Sequence, residues 1–324
     1  MDWQSPKDKE EVTHRNRIWK RSTQAFLEEA KHTPGFSLFD FLHGYVYLRW
    51  PFLYIGVGTG EHKLTKWIRP LANLIGKLFL TSGSDRDEKP TAAETYHGKV
   101  VPLEAAKQLV SINQPVELTN LEQIIPFKTA RDIILRNPDH IAVLDCPCRT
   151  SRPEPCLPLD VCLVIGEPFA SLVVEHHPER SRWITTKEAE DILEAEHKRG
   201  HVHHAFFKDA MLGRFYAICN CCSCCCGAMQ AMRNDSPMLI SSGYVCEVDP
   251  NLCSNCELCF DVCPFDTLSY DDEGVQIDQE NCMGCGVCVS VCPMDALSLV
   301  VDSSKPAPLE IQTLIQENVQ KVHA

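Results

Sequence analysis

The chain has 324 residues, of which 44% are hydrophobic and 23% charged, and its formal net charge is −13. This length suffices for about two domains with a sizeable core, and the average composition excludes wholesale disorder and a collagen-like repeat. Cysteine is the exception, because the chain has 19 cysteines and all of them lie between Cys146 and Cys292. We therefore expect the chemistry of the protein between these two residues.

The first 90 residues contain no cysteine and are predicted to form an aromatic-rich, mostly helical region. A polar arm with a helix near residues 22–31 comes first, and residues 36–80 are the most apolar and aromatic part. His43, Arg49 and Pro51 interrupt this part, and its second apolar run has about a dozen residues, short of the ~20 that cross a membrane. We expect residues 36–80 either to pack within this region or to contact a membrane surface or a partner subunit.

Residues 91–245 are predicted to form a cysteine-rich α/β domain, and residues 305–324 a C-terminal helical tail. Apolar periodicity predicts helices over 102–113 and 127–136, and strands over 141–144, 161–165 and 171–174. The clearest element is a helix that begins after Thr185, where Glu188 completes a capping box, and ends at Gly200.

The cysteine content indicates either disulfides in an oxidising compartment or metal ligands in a reducing one. The N-terminus is polar and charged, without the apolar core of a secretory signal, and the number of cysteines is odd. The CxxC and CC spacings are also too tight for a framework of mutual disulfides. These features favour metal ligation in a reducing cytoplasm.

Residues 246–304 contain an internal duplication. Val248-Asp249 aligns with Ile277-Asp278 and Cys253 with Cys282, an offset of 29 residues, and each copy carries CxxCxxCxxxCP. In this pattern three thiolates on a tight loop bind three irons of one cube, and the fourth crosses to the other cube. The segment resembles the bacterial-type ferredoxin family that holds two 4Fe-4S clusters, and both motifs are intact.

The resemblance implies a ligand set for each cluster. Cluster one takes Cys253, Cys256, Cys259 and Cys292, and cluster two takes Cys263, Cys282, Cys285 and Cys288. Zinc and disulfides are the weaker alternatives. Eight cysteines that repeat the full ferredoxin spacing twice do not arise by accident, so the spacing favours two clusters. Such a pair of clusters stores and passes single electrons and performs no bond chemistry of its own.

Ten further cysteines follow no standard ferredoxin pattern: Cys146, Cys148, Cys156, Cys162, Cys219, Cys221, Cys222, Cys224, Cys225 and Cys226. The surrounding residues 100–227 resemble a cysteine-rich domain of ferredoxin-fused iron–sulfur proteins of anaerobes, which implies architecture and no particular role. Adjacent cysteines point in divergent directions and cannot all bind one tetrahedral ion. We expect one or two additional iron–sulfur clusters in two groups of four; zinc, a thiol redox pair and inert buried thiols are the alternatives.

Six histidines lie in the same region: His176, His177, His197, His201, His203 and His204. The last three follow Gly200, so we expect an accessible loop whose imidazoles bind metal or carry protons, unless they are ordinary surface histidines. Arg149 is expected either to offset the negative charge of a cluster or to form a surface salt bridge.

Acidic side chains dominate the duplicated residues. Between Cys246 and Asp302 there are twelve acidic residues and no lysine or arginine. Such a surface repels nucleic acid and attracts a basic protein surface, so we expect a redox partner with a basic surface. The alternative is that the acids only keep a cysteine-rich module in solution.

Together these features predict an α+β protein with a C-terminal two-cluster ferredoxin-like domain, a cysteine-rich α/β domain and an N-terminal mostly helical region. The leading hypothesis is an electron-transfer protein or subunit that uses two 4Fe-4S clusters and one or two more. The competing hypothesis is an anaerobic oxidoreductase whose cysteine-rich domain reduces a small substrate at a catalytic cluster. A metal- or cluster-handling accessory protein is a third.

Overall fold

The structure, a computed structural model, describes residues 19–67, 95–272 and 274–323. Its N-terminal part has three helices, α1 (Arg21–His32), α2 (Leu38–Arg49) and α3 (Pro51–Thr59). The helix predicted near residues 22–31 is α1, and the described part of the N-terminal region is mostly helical, as expected. Most of the second apolar run, residues 68–80, lies outside the described residues.

Local sequence explains where α2 begins and why one of its sides is exposed. Ser37 accepts a hydrogen bond from the backbone N–H of Asp40, whose carboxylate accepts one from the N–H of Ser37, which is a capping box. Apolar side chains on the helix remain exposed to solvent: Leu38, Phe39, Leu42 and Val46. None of the helices in the described residues is both long and apolar enough to cross a bilayer. Contact of this region with a membrane surface or a partner subunit stays a prediction.

An eight-stranded sheet forms the centre of the molecule. Its strands are β1 (Tyr96–Val101), β2 (Val116–Leu118), β3 (Ile133–Asp145), β4 (Asp160–Glu167), β5 (Ser181–Ile184), β6 (Val202–Lys208), β7 (Arg214–Cys221) and β8 (Leu239–Ile240). The order is β2-β3-β4-β7-β6-β1-β8, with β5 paired to β3. Every pair is antiparallel except β1–β8. The predicted α+β class is confirmed, although the cysteine-rich region is not built from parallel βαβ units.

Five helices connect these strands: α4 (Leu103–Val110), α5 (Pro147–Thr150), α6 (Phe169–His176), α7 (Thr186–Lys198) and α8 (Gly227–Arg233). The capped helix is α7, which the left-handed Gly200 follows as predicted. Two other predictions were wrong, because residues 133–136 begin strand β3 and residues 171–174 belong to helix α6. Short apolar runs fit both the helical and the strand period, and here packing against the sheet decided between them.

The duplicated segment, residues 246–304, uses its two halves to complete each other. Its elements are β9 (Tyr244–Val248), β10 (Leu268–Asp271), β11 (Gly274–Ile277), α9 (Val287–Val291) and β12 (Leu297–Val301). In the β9–β12 pair Val248 lies opposite Leu297, and in the β10–β11 pair Leu268 lies opposite Ile277. Each strand pair thus joins the start of one repeat to the end of the other.

Both faces of the central sheet are buried. Along β3, Ala142 and Leu144 belong to one apolar cluster, while Ile141 and Val143 belong to another, because alternate strand residues face opposite sides. Met283, Cys285 and Val287 of the duplicated segment join the first cluster. Leu309 and Ile311, beside the C-terminal helix α10 (Ile311–His323), join the second. The domain boundaries at residues 90, 245 and 304 stay predictions.

Candidate metal centres

The duplicated segment contains two separate cavities, each lined by cysteines. The first is lined by Cys253, Cys256, Cys259 and Cys292. The second is lined by Cys263, Cys282, Cys285 and Cys288. The structure therefore brings together the same two sets of cysteines that the ferredoxin resemblance implies for clusters one and two. Metal ligation by these thiols stays a prediction.

Unusual backbone conformations shape both cysteine loops. Asn255 (φ 54°) and Glu257 (φ 62°) are left-handed in the first loop, as are Gly284 (φ 62°) and Gly286 (φ 78°) in the second. At Gly284 a Cβ atom would lie 2.1 Å from the carbonyl oxygen of Tyr244, so no side chain fits there. The tight turns direct the thiols of cysteines three residues apart toward a common cavity.

The second cavity has a fifth thiol, which the sequence analysis assigned to neither cluster. Cys246 lies on β9, and its Sγ atom is 3.5 Å from the Sγ atom of Cys288. This hydrogen bond lowers the pKa of Cys288, which favours the thiolate form that binds iron. Cys246 lies outside the CxxC spacing, so only the pairing of β9 with β12 reveals its position.

A third cavity lies in the cysteine-rich region and is called here the six-cysteine cavity. Seven cysteines line it: Cys222, which is described below with a second group, and the six after which the cavity is named, Cys146, Cys148, Cys162, Cys219, Cys221 and Cys226. They come from the junction of β3 with α5, from β4, from β7 and from the start of α8. On the paired strands β4 and β7, Cys162 lies opposite Cys219 and their sulfur atoms are 4.0 Å apart.

The other four upstream cysteines form a separate set, called here the four-cysteine group: Cys156, Cys222, Cys224 and Cys225. All four sulfur atoms lie within 4.8 Å of one another. Cys224 is exposed and its Sγ atom is 2.9 Å from that of Cys156. One group of four is therefore present, as expected. The other six thiols gather at one cavity, and which four of them would bind a cluster stays a prediction.

Arg149 lies in the wall of the six-cysteine cavity and is fully buried. Its guanidinium donates hydrogen bonds to the Glu196 carboxylate at 2.5 Å and to the carbonyl oxygen of Asn220 at 3.0 Å. Burial opposes ionisation of Glu196, yet hydrogen bonds with His201 and Arg149 hold the pKa of Glu196 below its usual value. The predicted salt bridge thus exists, but in the interior, where it also brings a positive charge beside the thiols.

Three tyrosine hydroxyls cluster beside the same cavity, which Tyr47 and Tyr96 line. The hydroxyls of Tyr47 and Tyr216 are 2.8 Å apart, and the ring centre of Tyr96 lies 6.2 Å from that of Tyr47. The buried Lys208 places its Nζ atom 4.9 Å from the ring centre of Tyr96, and burial lowers the pKa of Lys208 to about 8. The sequence analysis missed this cluster, because nothing in the spacing of these residues brings them together.

The expected accessible histidine loop was wrong. His203 and His204 lie inside β6 and are 1% and 0% exposed, and only His201 follows Gly200 outside the strand. Burial lowers the pKa of His203 to about 4 and that of His204 to about 3, so both rings are neutral. The other three histidines pack against neighbouring elements: His176, His177 and His197. Among the described residues, no histidine belongs to a set positioned to hold a metal ion.

Comparison with known proteins supports the duplicated segment alone. A family model described as a 4Fe-4S dicluster domain matches residues 252–296. This range contains the eight cysteines that the sequence analysis assigned to clusters one and two, and it makes iron–sulfur electron transfer the chemistry of this part of the chain. No curated protein matches the chain. The match does not reach residues 100–227, so their resemblance to a cysteine-rich domain of anaerobes stays a hypothesis.

Proposed function

We propose that this protein passes single electrons between a partner protein and an iron–sulfur centre in its six-cysteine cavity, by way of two 4Fe-4S clusters. One observation carries the proposal, which is that a single buried apolar cluster connects the two regions. Cys285 of the second cavity belongs to this cluster together with Cys146, Cys162 and Cys221 of the six-cysteine cavity. A protein interior without solvent between redox centres suits the transfer of electrons from one to the other.

The thiols suit the groups that they would hold. Each cavity of the duplicated segment offers the four cysteines that a cube requires, and the six-cysteine cavity offers more than four. A cluster bound at these thiols supplies a site that takes up and releases one electron at a time. The chain contributes the thiolates, excludes water from the second cavity, and places the Arg149 guanidinium against the negative charge of the six-cysteine cavity.

We further propose that the redox partner approaches the first cavity. Cys256 is exposed there, while Cys282, Cys285 and Cys288 of the second cavity are buried. Apolar side chains at the first cavity are also exposed, with Leu258 at 50% and Met294 at 47%. Acidic residues without a lysine or arginine surround them in the sequence, so a partner with a basic surface fits.

The six-cysteine cavity also favours a second function, reduction of a small substrate. A cube needs four thiolates, so six exceed the requirement of a single cubane cluster and suit a centre of other geometry. Tyr47 and Tyr96 line the cavity, and their phenol hydroxyls would donate the protons that a substrate takes up when the cluster supplies electrons. An oxidoreductase would use the duplicated segment as its source of electrons.

Anaerobic quantitation of iron and sulfide with EPR on the full-length protein tests the proposal. We expect about twelve irons per chain, about eight in the duplicated segment and about four in the six-cysteine cavity. About eight irons would contradict an iron–sulfur centre in that cavity. Addition of cyanide to the reduced protein distinguishes the two functions. Cyanide binds an iron that has an open coordination position and changes the EPR spectrum, as expected for a catalytic centre, whereas a pure electron-transfer centre keeps its spectrum.

A further inference from the structure

We propose that the four-cysteine group, Cys156, Cys222, Cys224 and Cys225, binds one tetrahedral metal ion and not an iron–sulfur cluster. The ion is a divalent metal that prefers thiolate ligands, either zinc or iron. This site goes beyond the electron-transfer function, since it requires none of the clusters to be present.

The distances between sulfur atoms distinguish a single ion from a cube. Four thiolates at about 2.3 Å from one tetrahedral zinc ion lie about 3.8 Å from one another. All four sulfur atoms of the group lie within 4.8 Å of each other, and those of Cys224 and Cys225 are 3.5 Å apart. Four thiolates of a cube each bind a different iron and therefore stand farther apart.

The duplicated segment provides an internal reference. Its two sets of four cysteines line separate cavities, and neither set is one whose ligand atoms all lie within 4.8 Å of one another. In the part of the chain that the structure describes, the four-cysteine group is the one set of metal-binding side chains whose ligand atoms converge this closely. The same protein thus contains cysteine sets of open and of convergent geometry.

The fold brings the four thiols together from two loops. Cys156 lies between α5 and β4, and the other three directly follow β7. Because Cys162 on β4 lies opposite Cys219 on β7, these two loops leave the sheet at neighbouring positions. The ligands are therefore separated in sequence but fixed by one strand pair, which is a rigid support for an ion.

Arginine side chains hold the loop that carries three of the thiols. Four thiolates around a divalent ion carry a net charge of about −2, which a nearby cation stabilises. Arg233 donates a hydrogen bond to the carbonyl oxygen of Ser223 at 2.7 Å, and Arg152, which is paired with the Glu61 carboxylate, donates one to that of Cys225 at 3.3 Å. Arg233 also donates to the carbonyl oxygen of Pro264 at 3.3 Å, the residue after Cys263 of the second cavity.

The position of the ion defines its role. Cys222 belongs to the four-cysteine group and also lines the six-cysteine cavity, and the adjacent Cys221 lines that cavity too. An ion at the group therefore fastens the loop that forms this wall of the cavity. Zinc would be a structural clamp, whereas iron would add a redox site near the contact with Pro264.

Metal analysis of full-length protein purified anaerobically tests this site. We expect about one zinc or one non-sulfide iron per chain beyond the cluster iron, and loss of that ion in Cys156→Ser and Cys224→Ser. Ser223→Ala is the matched control in the same loop and keeps the ion. Cys224→His retains a metal donor and restores binding at least in part.

Protein from cobalt-supplemented cells identifies the geometry. We expect the visible absorption of a tetrahedral cobalt tetrathiolate, which Cys224→Ser removes while the EPR signals of the duplicated segment persist. A fall from about sixteen to about twelve irons per chain in Cys224→Ser, with loss of the matching sulfide, would overturn the proposal in favour of a cluster. An unchanged content of every metal would overturn it as well. Neither result changes the expected iron of the six-cysteine cavity, so the two proposals fail separately.

Discussion

The duplicated segment and the six-cysteine cavity gather their thiols in different ways. In the segment, three thiols of the first cavity come from one loop, Cys253 to Cys259, and Cys292 comes from the other repeat. In the six-cysteine cavity, the thiols come from several strands and helix ends. The spacing of cysteines within one loop predicts the arrangement in the duplicated segment. The arrangement in the six-cysteine cavity depends on which strands of the sheet are neighbours. A regular motif therefore predicts a gathered set of thiols, but thiols also gather where no regular motif exists.

The two regions also differ in which groups lie next to their thiols and would stabilise the negative charge of thiolates. In the segment the backbone N–H of Ala296 donates a hydrogen bond to the Cys292 thiol at 3.3 Å, and the residues between Cys246 and Asp302 include no basic side chain. The six-cysteine cavity has the buried Arg149 in its wall, held by Glu196. A backbone N–H donor thus lies against a thiol in the duplicated segment, whereas a buried guanidinium lies beside the thiols of the six-cysteine cavity.

Serine substitutions in each region are the strongest test of this difference. Cys146→Ser with Cys219→Ser should remove about four irons per chain, because both residues line the six-cysteine cavity, and leave the EPR signals of the duplicated segment intact. Cys285→Ser should do the reverse and remove the signal of one cube. Loss of all clusters in either variant would show that the two regions do not bind metal independently.

The buried ion pair should contribute the next largest effect. Glu196→Leu leaves the Arg149 cation buried without its carboxylate, both side chains being 1% exposed, and should cost about 3–5 kcal/mol of unfolding free energy. Adding Arg149→Met should recover part of this loss, because no uncompensated charge remains. Anaerobic denaturant titration of the two variants measures it. Additive losses would contradict a coupled pair.

A buried lysine should make stability depend on pH. Burial lowers the pKa of Lys99 to about 7 from an ordinary 10.5. Between these values the unfolded chain binds one more proton than the folded one, so Lys99 adds stability as the pH rises, by about 1.4 kcal/mol per pH unit. Lys99→Met should remove this slope, and denaturation at pH 7, 8 and 9 measures it. Equal slopes in both proteins would show that Lys99 stays charged in the fold.

Salt should produce the smallest effect and act on the duplicated segment alone. Electron exchange with a basic partner such as a positively charged cytochrome should slow about tenfold between low and high ionic strength. Ligand or metal exchange at the buried six-cysteine cavity should change little. Stopped-flow reduction at several salt concentrations gives the rates, and a flat profile would remove the proposed steering by acidic side chains.

The sequence by itself determined the chemistry of the duplicated segment. The spacing and repetition of CxxCxxCxxxCP predicted the two cysteine sets that the structure brings together, including the crossing of Cys263 and Cys292. Local elements with strong end signals were predictable for the same reason, as with α7 between Thr185 and Gly200. In each case the residues that decide the structure are near neighbours in the chain.

Only the tertiary structure decided how the upstream cysteines are divided. Pairing of β4 with β7 places Cys162 opposite Cys219, and the loops beyond this pair bring Cys156 to Cys224. The burial of His204 and the meeting of Tyr47 with Tyr216 likewise arise from packing. Strand order and register depend on contacts between distant parts of the chain, and the spacing of residues along the sequence does not predict these contacts.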